Sequence, residues 1–248
     1  KGISVDEQLT LITGSNLNNA GTLRANGSLL ANIGGTVSNS GLMQADNRLD
    51  LLAGNNLSNR AGGVIAGGEV NLAAGAELLN ERTVTTHQSA SGYRTERTDF
   101  ADSAARIESA NALTLKAGTN LNNVGGVLKS GGDTTAQAVG DVNIAAAQAL
   151  TSGNVGTRSS YATAAQHGSV VDAGRDLHVV GGRDIRVVAS QVEAKRDVSL
   201  VATHNLTVGA GANEQHSASN SKKVKSIEDH VQQVSSVIKA GGDATLSA

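Results

Sequence analysis

Six histidines are the side chains of this sequence best suited to metal binding or to proton transfer near neutral pH. No two of them lie at the spacing of a helical metal site, and there is no cysteine to complete a zinc site. We therefore expect no metal and no cofactor. The histidines are His87, His167, His178, His204, His216 and His230.

Acidic residues beside arginines offer a second kind of chemistry. Asp176 and Asp197 lie near Arg175, Arg183 and Arg196, and paired carboxylates with a basic partner are what a polysaccharide lyase or hydrolase uses. A sugar-binding groove generally also has aromatic side chains, but this sequence has two Tyr, one Phe and no Trp. We interpret these residues as solvated turn residues and expect no enzyme, with the lyase as the disfavoured alternative.

Aspartate follows a small or basic turn at several points of the second half, at Asp133, Asp176, Asp197 and Asp243. An Asp before a strand accepts hydrogen bonds from nearby backbone amides and so holds a turn. Calcium is the alternative, but it takes about six to eight oxygen ligands. Each repeat supplies one such carboxylate, so the pattern favours turns.

Composition restricts both the core and the partners. The chain has 248 residues with 20 Lys+Arg and 22 Asp+Glu, a formal net charge of -2, which gives no general attraction to nucleic acid or to an anionic membrane. With so few aromatic residues, the core must consist of Leu, Val, Ile and Ala, which suits a narrow interior. No apolar run is long enough to span a membrane. We expect the chain to be part of a longer protein.

A repeat of about twenty residues decides the fold class. Units begin at Leu9, Leu29, Leu49 and Val70, in steps of 20, 20 and 21, and the pattern returns at Leu113. Apolar residues alternate within each unit, which predicts short strands, and Gly and Asn mark the corners. We predict an all-β, right-handed parallel β-helix, a solenoid of about nine coils with a rise of about 4.8 Å per coil.

Asparagine occupies one column of this repeat at Asn19, Asn39 and Asn59, and we expect Asn80 to lie one place late in it. Asn at the same position of successive coils adopts the left-handed conformation at a corner or stacks its amides in a hydrogen-bonded ladder. We expect one of these structural roles rather than a sugar or metal site.

Three polar segments interrupt the repeat, and insertions in a solenoid protrude and often carry recognition. They divide the chain into a first repeat region (1–80), an insertion (81–106) and a second repeat region (107–248) with insertions near 154–167 and 211–234. The first insertion predicts a hairpin. In the third, the i, i+4, i+7 spacing of Ile227, Val231 and Val234 predicts a short helix.

The residues most suited to contacting a partner lie in two of these insertions. They are aromatic or basic, and they include a small lysine cluster. We interpret this cluster as a solvated loop, with contact to a heparin-like glycan or a lipid headgroup as the alternative. These candidates are Tyr93, Arg94, Arg97, Phe100, Lys222, Lys223 and Lys225.

The repeat text resembles that of a known family. The runs from Leu17 to Gly35, Leu49 to Gly75 and Leu113 to Asp133 resemble the haemagglutinin repeats of filamentous haemagglutinin and of contact-dependent growth inhibition exoproteins. The first region resembles the first repeat type of that family, and the second region resembles its second type. The family supplies no catalytic residues that could be carried over to this sequence.

The resemblance implies two-partner secretion through a dedicated outer-membrane transporter, and a β-helical filament secreted to the bacterial cell surface, associated with the outer membrane. Two functions follow from it. The favoured one is contact-dependent toxin delivery, with the target cell's outer membrane or a surface receptor as partner and no nucleic acid. The alternative is adhesion to host cells or to biofilm matrix.

Overall fold

The computed structural model describes residues 2–248 and consists of β-strands joined by turns. Those residues include no helix, and so none that is long and apolar enough to cross a membrane. Most strands pair in parallel with strands one coil before and one coil after. The predicted parallel β-helix is confirmed.

Each coil runs over three faces, and the first face stacks nine strands in parallel. Two long strands, β7 and β9, bend from the first face onto the second. The strands of the first face are β1 (Gly2–Val5), β4 (Thr22–Ala25), the first part of β7 (Leu42–Ala53), the first part of β9 (Val64–Ala74), β13 (Arg106–Ser109), β16 (Val127–Ser130), β21 (Val170–Ala173), β24 (Gln191–Ala194) and β29 (Val237–Ala240).

The second and third faces stack in the same way. Besides the later parts of β7 and β9, the second face contains β2 (Gln8–Thr13), β5 (Ser28–Ile33), β14 (Leu113–Ala117), β17 (Thr134–Ala138), β22 (Leu177–Gly181), β25 (Val198–Ala202) and β30 (Ala244–Ser247). The third face contains β3 (Leu17–Asn19), β6 (Val37–Asn39), β8 (Leu57–Asn59), β10 (Leu78–Glu81), β15 (Leu121–Val124), β18 (Val142–Ala145), β23 (Ile185–Val188) and β26 (Leu206–Gly209).

The apolar interior of the rod is built mainly from aliphatic side chains. On the second face, each residue of one column pairs with its counterpart in the next coil, and all four side chains are buried. The column is Leu9, Leu29, Leu49 and Val70. No aromatic ring lies in this core, because the exposed Tyr93, Phe100 and Tyr161 are the only aromatics of the chain. The expectation of a narrow core of Leu, Val, Ile and Ala is confirmed.

The asparagine column forms a continuous ladder inside the rod. The amide nitrogen of Asn19 donates to the Oδ1 of Asn39 at 2.8 Å, and the series continues through Asn59 and Asn80 to Asn123 at 2.9, 3.0 and 2.8 Å. None of these residues has a positive φ, so the ladder and not the left-handed corner is correct. Asn80 pairs in register with Asn59, so the expectation that it is one place late is wrong.

Three antiparallel hairpins complete the structure. They pair with one another into a six-stranded sheet, which we call the fin. Its strands are β11 (Val84–Ser91), β12 (Arg94–Ala101), β19 (Ala147–Val155), β20 (Ser159–His167), β27 (Gly211–Asn220) and β28 (Lys225–Val234).

The hairpins differ from the predicted insertions at two points. The second begins at Ala147 rather than near residue 154, because the antiparallel pairing of its two strands already starts with Ala147 opposite His167. The predicted helix around Ile227 is wrong, since Lys225–Val234 is a strand whose partner is Gly211–Asn220. That antiparallel pairing satisfies backbone groups that a single helical turn would leave to solvent.

Candidate interaction surface

The position of the hairpins follows from the rise of the coil. Each hairpin leaves after a third-face strand and returns to the first face, after β10, β18 and β26. Leu78, Val142 and Leu206 of those strands occupy one column and lie 64 residues apart, with one unbranched coil between each pair. Two coils rise about 10 Å, which is the width of two paired strands. Successive hairpins therefore meet at hydrogen-bonding distance.

Two junctions join the hairpins into the fin. Strands β12 and β19 pair from Arg94 with Val155 to Thr98 with Thr151. Strands β20 and β27 pair from Ser159 with Ser219 to Ala164 with Glu214. Apart from Asp99, Ala147 and Gly153, no residue of the fin strands is buried, so the fin projects from the rod rather than lying flat on it.

The turns of the three hairpins lie side by side at the free end of the fin, which we call the tip (residues 91–96, 156–159 and 219–227). The N–H of Gly156 donates to the carbonyl oxygen of Tyr93 at 2.7 Å, and the N–H of Asn220 donates to that of Arg158 at 2.7 Å. Gly92 and Gly156 adopt positive φ in their turns, a conformation that glycine adopts without strain. The tip is thus one hydrogen-bonded edge.

All seven predicted contact residues lie in the fin, five of them at the tip. Tyr93 is 87 % exposed at the first turn, and Arg94 follows it. The lysines surround the third turn, at Lys222, Lys223 and Lys225.

The other two candidates lie nearer the rod and already have partners within the fin. Arg97 donates to Asp99 through both Nε and Nη2 at 3.1 Å. The Phe100 ring meets the His87 ring edge-on, with the centroids 5.2 Å apart. Sequence reasoning missed Arg158, which the second turn brings to the tip. Its one signal was the position after Gly156 and Thr157 within a polar insertion.

Asp99 ties the first two hairpins together. Besides Arg97, its carboxylate accepts from the Thr86 hydroxyl at 2.7 Å and from the Leu150 N–H at 2.8 Å, so that it bridges β11, β12 and β19. The hydrogen bonds from Arg97, Thr86 and Leu150 outweigh the cost of burial and lower the pKa of Asp99 to about 2. This group is therefore a structural anion and not an acid poised for catalysis.

His216 joins the two strands of the third hairpin. Its Nδ1 lies 2.8 Å from Asp229 Oδ1 and its Nε2 lies 3.1 Å from Glu214 Oε2. The hydrogen bonds to Asp229 and then Glu214 raise the pKa of His216 above its usual value. The protonated imidazole, which donates from both nitrogens, fits between the two carboxylates.

The turn aspartates of the rod form a second ladder. The N–H of Asp176 donates to Asp133 Oδ1, that of Asp197 to Asp176 Oδ1, and that of Asp243 to Asp197 Oδ1, at 3.0, 3.1 and 2.8 Å. Arg196 Nε lies 3.4 Å from Asp176 Oδ1. The expected turn role is observed, but the amide that is bound belongs to the next coil. Within residues 2–248, no three His, Asp or Glu side chains cluster as a metal site would require.

Comparison with known protein families finds one match, to the hemagglutinin repeat, over residues 150–248. The matched segment begins within β19, ends at the last coil and includes the whole third hairpin. Neither the curated proteins nor the solved structures contain a significant match to this chain. The division into first-type repeats (1–80) and second-type repeats (107–248) stays a prediction.

Proposed function

We propose that the chain, whose residues 150–248 match the hemagglutinin repeat, is a non-catalytic filament segment of a large two-partner-secreted bacterial exoprotein. In this proposal it serves contact-dependent toxin delivery, holding a delivered domain away from the producing cell and meeting the target bacterium. The family match supports a surface-exposed structural segment. The observation that carries the proposal is the uninterrupted rod with every hairpin on one side.

The rod is suited to act as a long, stiff spacer. Each coil is bound to the next by parallel backbone ladders on three faces, and the asparagine and aspartate ladders add side-chain hydrogen bonds along the same axis. A solenoid of this kind lengthens by adding coils without changing its cross-section. The segment therefore serves as a spacer, and the fin provides a surface on one side for contact.

The structure also suits export through an outer-membrane transporter. The chain has no cysteine, so no disulfide has to form before or after transport. Each coil stacks on the coil before it, and each hairpin pairs with the previous hairpin. A chain that emerges N-terminus first can fold coil by coil on the outside, because every new coil finds its template already formed.

Adhesion to host cells or biofilm matrix is the second candidate, and one feature of the fin favours it. A shallow trough between the first two hairpins is lined by Gln88, Arg97, Ser152, Asn154 and Tyr161. Hydroxyl, amide and guanidinium groups beside an aromatic ring are what protein sites use to bind sugars. We rank it second because the predicted second-type repeats (107–248) make up more than half of the chain.

Binding of labelled protein to bacterial and to epithelial cells, side by side, tests the proposal. The matched variant lacks residues 211–234, and it can be spliced because Gly211 and Val234 are opposite each other in the hairpin. Saturable binding to bacteria that the deletion removes supports delivery. Binding to epithelial cells alone supports adhesion. Polyuronate cleavage that Asp176→Ala or Asp197→Ala abolishes would instead require an enzyme.

A further inference from the structure

Positive charge is concentrated at the tip. Within the tip residues defined above, one acidic side chain, Glu96, accompanies five cations, although the whole chain has a formal charge of -2. All five cations are exposed and come from all three hairpins. They are Arg94, Arg158, Lys222, Lys223 and Lys225.

These cations differ from the arginines of the rod. Rod arginines are mostly neutralised by a carboxylate of the same or an adjacent coil, as Arg48 is by Asp50 at 2.7 Å and Arg183 by Asp141 at 3.2 Å. Within residues 2–248, no tip cation takes part in an ion pair. The charge of the tip is therefore available to a partner.

Apolar side chains lie among the tip cations. Tyr93 is 87 % exposed, Val224 63 % and Ile227 75 %. Large apolar groups at the projecting end of a soluble element gain little unless a partner removes them from water. Tyr93 precedes Arg94 at the first turn, and Val224 lies between Lys223 and Lys225 at the third. Apolar side chains next to cations are the combination found where proteins enter the interfacial layer of a bilayer.

We propose that the tip of the fin binds the anionic headgroups of a lipid membrane. The cations contact headgroup phosphates, while Tyr93, Val224 and Ile227 enter the interfacial layer. The six-stranded edge spans about 25 Å, so a nearly planar surface can meet all three turns at once. An acidic polysaccharide would satisfy the charges but would leave the apolar side chains in water. The proposal rests on the proposed function only in assigning the membrane to the target cell.

Flotation with phosphatidylglycerol/phosphatidylcholine vesicles tests the electrostatic part. The unmodified chain is expected to float with these vesicles, to bind pure phosphatidylcholine vesicles weakly, and to be released by high salt. The tip variant is Arg94→Gln, Lys222→Gln, Lys223→Gln and Lys225→Gln. The control neutralises four exposed rod cations, with Arg24→Gln, Lys116→Gln, Lys129→Gln and Lys195→Gln, so both proteins have the same net charge.

The tip variant is expected to lose membrane partitioning on the order of 600-fold, since each of its four neutralised residues adds about fivefold near an anionic surface. The rod variant is expected to keep most of it. Equal losses in the two variants, or no binding by the unmodified chain, would overturn the proposal. So would heparin binding that is tighter than vesicle binding and equally dependent on the tip cations.

Insertion of the apolar side chains is measured separately. The chain has no Trp, so Tyr93→Trp provides a single fluorophore at the tip. Val139→Trp provides a control on the rod at a site that is 72 % exposed. Anionic vesicles are expected to shift the tip emission to the blue and to allow quenching by brominated lipid, with the rod emission unchanged. Identical behaviour of the two would contradict insertion.

The two proposals fail in different ways. Loss of vesicle binding with bacterial binding retained would refute the lipid contact and leave delivery standing. Vesicle binding without any binding to bacteria would keep the lipid contact and remove the delivery function.

Discussion

The N–H of Gly156 donates to the carbonyl oxygen of Tyr93 at 2.7 Å, although the two residues belong to hairpins that leave the rod two coils apart. The contact exists because two coils rise by the width of one hairpin. The period of the rod therefore sets the spacing at which the hairpins pair to form the fin.

Removing the coil between the first two hairpins should break the strand pairing that joins them. Deleting residues 107–127 joins Arg106 to Leu128, which is in register with Ile107, and leaves hairpins one and two only one coil apart. A separation of about 4.8 Å is too small for two strands. We expect the amides of β12 and β19 to lose protection from hydrogen exchange.

The control deletion removes a coil from the part of the rod without hairpins. Deleting residues 10–29 joins Leu9 to Leu30, which follows the in-register residue Leu29. This variant loses one coil as well but should keep the β12–β19 protection. Equal protection in both deletions would show that the rise of the rod does not set the fin.

The asparagine ladder should contribute measurably to stability. Asn59→Ala removes a buried amide that accepts from Asn39 and donates to Asn80. Leaving such groups unpaired costs about 1–3 kcal/mol, to be read from the free energy of urea unfolding. Asn18→Ala, an exposed Asn on the same face of the rod, should cost about 0.5 kcal/mol or less. Similar values for the two variants would mean that the ladder is not stabilising.

The sequence predicted the coils well because their spacing is local and repeated. The column of Leu9, Leu29 and Leu49 gives the second face directly, and the regular Asn19, Asn39 and Asn59 indicate the ladder. The fin was not predicted as one sheet, since its strands share no repeat and its junctions depend on the rise of the rod. The spacing of Ile227 and Val231 did not distinguish a helix from a strand, because residues four apart lie on one side of either element.

Asp99 should make the fin sensitive to acid. Its pKa is lowered from 3.8 to about 2 in the folded protein, so its contribution is complete above pH 3.8 and is lost as the pH falls through about 2. The difference in melting temperature between the unmodified chain and Asp99→Asn should be constant near neutral pH and shrink in acid. A difference that does not change with pH would contradict this role.

His216 should give the third hairpin the opposite pH dependence. A histidine pKa raised above 6.5 stabilises the folded state below pH 6.5, and the effect is lost as pH rises through the raised value. NMR titration of the ring should show the raised pKa. Asp229→Asn should lower it more than Glu214→Gln, because the hydrogen bond to Asp229 is the larger cause. If neither substitution changes the pKa of His216, the two carboxylates do not hold the imidazole.

Disulfide formation between the first two hairpins tests the fin most directly. The chain has no cysteine, and Thr98 and Thr151 are opposite each other across β12 and β19, where Cα atoms about 4.5–5.5 Å apart permit a disulfide. Mild oxidation of Thr98→Cys/Thr151→Cys should cross-link the monomer almost completely. The control Thr98→Cys/Asn154→Cys places the thiols out of register on opposite faces and should stay reduced. Cross-linking of both pairs to the same extent, or of neither, would contradict a single sheet built from the three hairpins.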